Sequence, residues 1–295
     1  MKMSRKINVN LDPENDFLYH LGFDTNSQNL EEMFGDVRVV CMGGSAHRME
    51  GFAHYMLDIL GYNLPIGTKL DDMTINAHRY SFFKIGPVIS VSHGMGMPSM
   101  SILLHEMIKL VTYAKCKDPI FIRLGTSGGV GVDPGTVVIT DKAYNELLHN
   151  VHEFCILGKR VPREAVFDEE TIKQLIACKS EEDSFDIVNG GTMGTNDFYE
   201  AQGRIDGAVC DYTQEDKLEF LYKVQAKGIK NIEMEAPMFA ALTRHCGIRA
   251  ADVCVTIINR LNGDQVSLSP ELKHEFEMRP QIVVGRFIKE LLSRE

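Results

Sequence analysis

The chain has 295 residues, 44% of them hydrophobic and 24% charged, a balance that suits a folded globular protein and excludes disordered and collagen-like classes. Lys and Arg number 31 against 41 Asp and Glu, a net charge of −10, which argues against nonspecific DNA binding and anionic-membrane binding but leaves room for a small anion held by a local cluster. No stretch approaches the ~18 apolar residues of a membrane span, and the basic start at residues 1–6 runs into polar sequence with no apolar signal region, which points to a cytoplasmic protein.

Residues 1–35 read as a polar N-terminal arm with an apolar island at Phe17-Leu18-Tyr19, and residues 36–295 as one catalytic domain. Val37 to Met42 is a β-branched run ending at Gly43-Gly44, and Ser45 opens a helix whose apolar Met49, Phe52, Ala53, Met56, Leu57 and Leu60 recur at three- and four-residue spacing. The strand, glycine turn and helix pattern recurs: Gly86 to Ser92 is a strand, His93 to Met97 a turn, and Pro98 suits the first turn of a helix running from Met100 to Ala114. Pro119 to Leu124 is a further strand with a glycine loop, Gly125 to Gly129, behind it. Short strands are expected at 136–140 and 185–188, helices at 168–180 and 213–227, a helix from Ala236 to Cys246, a buried strand at 251–258 and a closing helix from Arg279 to Ser293. Strands alternating with helices predict an α/β fold with a mixed, mostly parallel sheet, and with no linker or repeat one domain is expected. The seven cysteines, Cys41, Cys116, Cys155, Cys178, Cys210, Cys246 and Cys254, form no C-x-x-C pair and read as reduced, buried thiols.

Three segments carry chemistry. Gly43-Gly44-Ser45 leads into a helix bearing Arg48, where the helix dipole disfavours a cation unless an anion shares the place. Arg123 closes an otherwise apolar strand just before Thr126, and a buried unpaired guanidinium would be costly there. Together these residues suggest a phosphate site, although neither a P-loop nor a dinucleotide fingerprint is present. Glu233 and Glu235 flank Met234 before an apolar helix start; alternation could turn the two carboxylates opposite ways, and a buried one would need donors such as a sugar diol. Gln202 and Arg204 set an amide beside a guanidinium. No zinc spacing, no G-x-S-x-G and no activated cysteine is seen, so no metal and no protein nucleophile is expected.

As a set, these segments resemble the animal-type uridine phosphorylases of the nucleoside phosphorylase family. The matching residues are Phe17 to Leu21, Phe34 to Val37, Gly43 to Ser45, Arg123 to Gly129, Phe198 to Arg204, Asn231 to Glu235 and Asn259 to Gln265. The resemblance implies a distorted barrel-like sheet surrounded by helices. It also implies reversible cleavage of uridine by inorganic phosphate, giving uracil and ribose 1-phosphate, with no cofactor; deoxyuridine and thymidine stay open as substrates. Carried over, it assigns phosphate to Gly44, Arg48, Arg123 and Thr126, with Arg79 from a neighbouring subunit. Uracil falls to Gln202, Arg204, Phe198 and Arg260. Ribose falls to Glu235, Glu233, Met234 and Thr126, with His20 from the neighbour. Arg123, Gln202, Arg204 and Glu235 are the catalytic set, and a homodimer sharing its sites is implied, with neither nucleic acid nor membrane as partner. Two alternatives remain: a purine-directed phosphorylase or nucleosidase of the same fold, and a non-catalytic nucleoside-binding paralogue. The first would use a late-strand Asp where this chain has Asn259 and Arg260.

Overall fold

The computed structural model describes residues 8–74 and 77–294; the basic start at residues 1–6 lies outside them. The described chain opens with a two-strand pair, β1 (Phe17–Leu18) and β2 (Phe23–Asp24), and the short helix α1 (Leu30–Phe34). This N-terminal segment buries Leu18, Leu21, Phe23, Leu30 and Phe34 in the main core. Phe23 and Phe34 meet edge to face at 5.1 Å, a geometry that aromatic quadrupoles favour.

β3 (Val39–Gly43) leads into α2 (Ala46–Leu60), which Ser45 caps by accepting from the Arg48 amide, and which Gly61 ends in the left-handed conformation. β4 (Phe82–Ile85) and β5 (Val88–Ser92) form a hairpin before α3 (Met97–Tyr113). Then follow β6 (Ile120–Gly129), β7 (Val137–Tyr144), a second hairpin of β8 (Val151–Ile156) and β9 (Lys159–Glu164), and α4 (Glu169–Ala177). The chain continues through β10 (Ile187–Gly194), α5 (Gln214–Ala226), β11 (Ile229–Glu233), α6 (Ala236–His245), β12 (Arg249–Asn259) and α7 (Pro270–Ser293).

The main sheet runs β11-β10-β7-β12-β6-β3-β5-β4, and β11 also pairs antiparallel with β6. Strands β6, β12, β7, β10 and β11 therefore close into a five-strand barrel, with β3, β5 and β4 extending from β6. Pairs β12–β6, β3–β6, β3–β5, β10–β7 and β10–β11 are parallel, whereas β12–β7, β11–β6 and β4–β5 are antiparallel. The result is the single-domain α/β barrel surrounded by helices that the resemblance implied.

Local readings departed from this in definite places. Gly125 to Gly129 is not a loop but the second half of β6. The strand must leave β3 after Leu124 and bend across to β11 at Gly128 and Gly129, and side chains at the bend would collide with what fills the barrel. A Cβ on Gly125 would lie 2.8 Å from Cys254 Sγ and 2.9 Å from Arg123 Nη1, and one on Gly128 2.9 Å from Arg260 Cγ. The strand expected at 185–188 runs from Ile187 to Gly194, and the last helix begins at Pro270 and passes through Pro280. Ser269 caps that helix by accepting from Leu272 N, and Phe276 buries its first turns, which offsets the bond lost at Pro280. The hairpin β8–β9 escaped notice because its polar and apolar residues do not alternate cleanly and none of them is fully buried.

Most of the core lies between the sheet and its covering helices, but the barrel interior is polar. Thr140 Oγ1 donates to Asp252 Oδ2 at 2.8 Å, and Thr192 Oγ1, 2.6 Å from both Thr140 Oγ1 and Asn231 Oδ1, has one proton to give to either. Asn231 Nδ2 then donates to Ser127 Oγ at 2.9 Å. All five residues are buried, so the chain of bonds satisfies groups that would otherwise be costly, and it holds one end of Asp252 under the site.

Candidate active site

A cavity of ≈ 300 Å³ opens at the carboxyl ends of the barrel strands, where α/β sheets bind ligands. Gly44, Arg48, Arg123, Thr126, Phe198, Gln202, Arg204, Glu233, Met234, Glu235 and Arg260 all line it. A second depression of ≈ 380 Å³ lies at the opposite strand ends around Asp118, Asp168 and Arg249, and holds none of the expected residues.

At one end of the site cavity, Arg123 is 3% exposed and ringed by carboxylates. Nη2 pairs with Glu233 Oε2 at 2.8 Å and with Glu235 Oε2, and Nη1 donates to Asp252 Oδ1 at 2.8 Å. Burial alone would lower its pKa, but Glu233, Glu235 and Asp252 hold it well above the usual value. Glu233 and Glu235 thus converge on one guanidinium instead of facing opposite ways. Strand β11 ends at Glu233, and Glu235 caps α6 with ψ −25°, so the alternation stops between them. Glu233 also accepts from the amides of Glu235 and Ala236 at 2.7 and 2.9 Å, and Glu235 Oε1 from Gly96 N at 2.6 Å.

Burial raises the Glu233 pKa to about 8, against the pull of Arg123. For Glu235, burial is outweighed by Arg123, and its pKa is lowered. Arg48 lies one turn into α2, beside the Gly44 backbone, with Glu277 4.0 Å away. Burial lowers its pKa, Glu277 opposes this and Arg123 lowers it further, so two cations face one another here. An anion would relieve that repulsion while meeting the N-terminus of α2. His93 is fully buried close by. Burial pushes its pKa down to about 3, and neither ring nitrogen has a hydrogen-bond partner among the described residues.

At the other end, Arg204 Nε and Nη2 grip Asp206 with two bonds of 2.9 and 2.8 Å, and Nη2 also donates to the Asp264 carbonyl at 2.6 Å. The guanidinium carbon stands 4.4 Å from the Phe198 ring centre. Hydrogen bonding to Arg204 holds the Asp206 pKa down. Arg260, 1% exposed, donates from Nε to Asp264 Oδ1 at 3.0 Å and from Nη2 to the Gln202 carbonyl at 2.9 Å. Lys217 Nζ meets Asp264 Oδ2 at 2.7 Å. Burial pushes the Asp264 carboxyl up, but hydrogen bonds from Lys217 and the Ile205 amide keep it below its usual range.

Arg79 and His20 do not line this cavity in their own chain. Arg79 is exposed, and His20 Nδ1 lies 2.6 Å from Glu106 Oε1. The His20 ring centre is 6.4 Å from that of Tyr80, so the two residues expected from a neighbour share one face of this chain. Sequence reasoning passed over Asp252, Asp206, Asp264 and Thr195. A visible signal existed for Asp252, a carboxylate inside the apolar run Ala250 to Val255, whereas Asp206 and Asp264 look like ordinary loop acids. Of the cysteines only Cys41, Cys116, Cys178 and Cys254 are buried; Cys155 is exposed because it sits on the hairpin β8–β9. Among the described residues, no group of three or more His, Cys, Asp or Glu could hold a metal, and no helix is long and apolar enough to cross a membrane.

Residues 38–293 match the model of the Phosphorylase superfamily. Uridine phosphorylase 1 of Mus musculus is 46% identical over 95% of this chain and 89% of its own length. The crystal structure of uridine phosphorylase from Schistosoma mansoni in complex with uracil superposes with a TM-score of 0.88 at 42% identity, over 93% of this chain and 94% of that one. Inactive uridine phosphorylase B, also from Schistosoma mansoni, is 42% identical over 94% of this chain and 92% of its own length.

Proposed function

The chain belongs to the phosphorylase superfamily, and from that premise we propose that it catalyses the reversible phosphorolysis of uridine to uracil and ribose 1-phosphate in pyrimidine salvage. One observation carries the reading: a single cavity joins an end built for an anion, at Arg48, Arg123 and Thr126, to an amide and guanidinium pair, Gln202 and Arg204, suited to a uracil edge. The relatives that bear the name uridine phosphorylase, and the uracil complex of one of them, support it.

In this reading phosphate lies against the Gly44 backbone, Arg48, Arg123 and Thr126, with Arg79 completing the site from a second copy of the chain. An oxygen of phosphate forms a bond to C1′ of the sugar as the bond from C1′ to N1 of uracil breaks, and that electron pair leaves with the base. Positive charge builds on the sugar, where the dianion opposes it, and negative charge builds on the base, where Gln202 and Arg204 donate to it. The work is positioning and electrostatics, with no covalent enzyme intermediate. Glu235, which keeps its charge beside Arg123, is suited to accept from the ribose hydroxyls, with Glu233, Met234 and Thr126 along the sugar and His20 arriving from the partner. Phosphate is the co-substrate, and no cofactor takes part.

A purine-directed reaction fits poorly. Asn259 Oδ1 is turned to the amides of Gly131 and Leu261 at 3.3 and 3.2 Å, and Arg260 is committed to Gln202 and Asp264, so neither residue at this strand end offers the acid that would protonate a purine. The reading extends to a homodimer in the cytoplasm, where the seven cysteines stay reduced. Uracil release from uridine is expected to require phosphate, to survive EDTA, and to fail with inosine. Turnover of inosine, or release without phosphate, would overturn the proposal; a chain that binds uracil yet cleaves nothing is the silent paralogue instead.

A further inference from the structure

The amide of Gln202 is held between two partners of opposite character. Its Nε2 lies 3.0 Å from Thr195 Oγ1, and its Oε1 lies 3.4 Å from Arg260 Nη1. Arginine carries donors only, so the edge of the amide facing Arg260 must be oxygen. The Thr195 hydroxyl has one proton, and two backbone carbonyls compete for it: Asp197 at 2.7 Å and Glu233 at 3.5 Å. Toward Gln202 that hydroxyl can only accept, so the edge facing it must be the NH₂ group. Thr195, Gln202 and Arg260 are all buried, which leaves no bulk water to satisfy a flipped amide.

The order of groups along the cavity wall follows. Arg260 and Arg204 both bond to Asp264, so the oxygen edge of Gln202 is the one nearer Arg204. From Thr195 outward the wall reads donor, acceptor, donor: Gln202 Nε2, Gln202 Oε1, then the Arg204 guanidinium. The O2, N3 and O4 edge of uracil reads acceptor, donor, acceptor and matches at every place. The corresponding edge of cytosine reads acceptor, acceptor, donor and matches only at the first. Were the amide flipped, each base would match at a single place, and the contrast between them would vanish.

We propose that Thr195 is a positioning residue that sets base selectivity, by holding the Gln202 amide in the one orientation that accepts an imide and rejects cytosine. This rests on the uridine reading above and deepens it. Thr195 touches no substrate in this account; it acts through Gln202.

The experiment compares Thr195→Val, which keeps the shape and removes the acceptor, with Thr195→Ser, which keeps the hydroxyl. Calorimetric binding of uracil and of cytosine is measured beside the KM for phosphate. In Thr195→Val the preference for uracil over cytosine should fall by about 10-fold or more, the size of one buried hydrogen-bonding group left unsatisfied. The phosphate KM should hold, and Thr195→Ser should restore the preference. Thr195→Ala serves if the valine variant does not fold. An unchanged preference, a preference lost together with phosphate affinity, or failure of serine to restore it overturns the inference. A wild-type chain that binds neither base, and releases no uracil from uridine with phosphate, overturns both readings; one that does so with the preference unmoved in the variant overturns this one alone.

Discussion

Replacing Arg123 by methionine tests whether one guanidinium holds the anion end of the site together. The side chain is 3% exposed and meets Glu233, Glu235 and Asp252, two of them at 2.8 Å. Methionine fills a similar volume but leaves three buried carboxylates without a cation, and breaking a buried ion pair costs about 3–5 kcal/mol. For a chain of this size that is a fall in Tm of about 6–20 °C, toward the lower end because the unfolding entropy is large. The pH dependence gives the sharper check. In the wild type the depressed Glu235 pKa stabilises the fold above about 4.5, its ordinary value, and that contribution is lost as pH falls through the folded value. Glu233 works the other way: its contribution is present below 4.5 and is lost as pH rises through about 8. Without Arg123 the Glu233 and Glu235 carboxyls shift upward, so the variant's penalty is small near about pH 4–5 and grows with rising pH. Thermal melts of both proteins from pH 5 to 9, with uridine phosphorolysis assayed alongside, are the measurement. Activity should fall by about 100-fold or more, the scale on which a lost charge-stabilising donor acts. A Tm gap under about 2 °C, or one that narrows as pH rises, would refute the reasoning, since the fold could not then depend on this pairing.

Gln202→Leu should raise the uridine KM or abolish activity while phosphate binding persists in calorimetry; near wild-type kinetics would remove the amide from base recognition. Glu235→Gln should narrow the preference for uridine over 2′-deoxyuridine, because a charged acceptor for the diol has gone, and an unchanged ratio of kcat/KM values would count against that role. Asp206→Asn should loosen the two-point grip on Arg204 and raise the uridine KM by about 10-fold with the phosphate KM unmoved; equal changes in both would mean a general loss of structure. Arg79→Ala and Gln202→Leu, each impaired alone, should complement when their subunits are exchanged, to about a quarter of wild-type sites if half the dimers are mixed and each mixed dimer has one intact site. No recovery on mixing would argue that each chain carries a complete site.

Much of the site was legible because its residues break local rules. Arg123 ends an apolar strand, Arg48 sits at the wrong end of a helix dipole, and Glu233 and Glu235 precede a helix start that is apolar. Such conflicts have few physical excuses other than a ligand or a buried partner. Asp206, Asp264 and Thr195 break no rule in the chain, since polar loop residues are unremarkable, and only their hydrogen bonds to Arg204, Arg260 and Gln202 give them meaning.

The sequence by itself determined most of the alternation of strands and helices, the anion-seeking arginines and the net negative charge. It did so because periodicity, caps and misplaced charges are local properties of a chain. Only the tertiary structure decided that Gly125 to Gly129 is the bend that closes a barrel, that two glutamates meet at one guanidinium, and that the amide of Gln202 can face one way only. Those outcomes depend on bonds between residues far apart in the chain, such as Arg123 with Glu235, 112 positions on, and no local pattern encodes which distant partner a buried polar group will find.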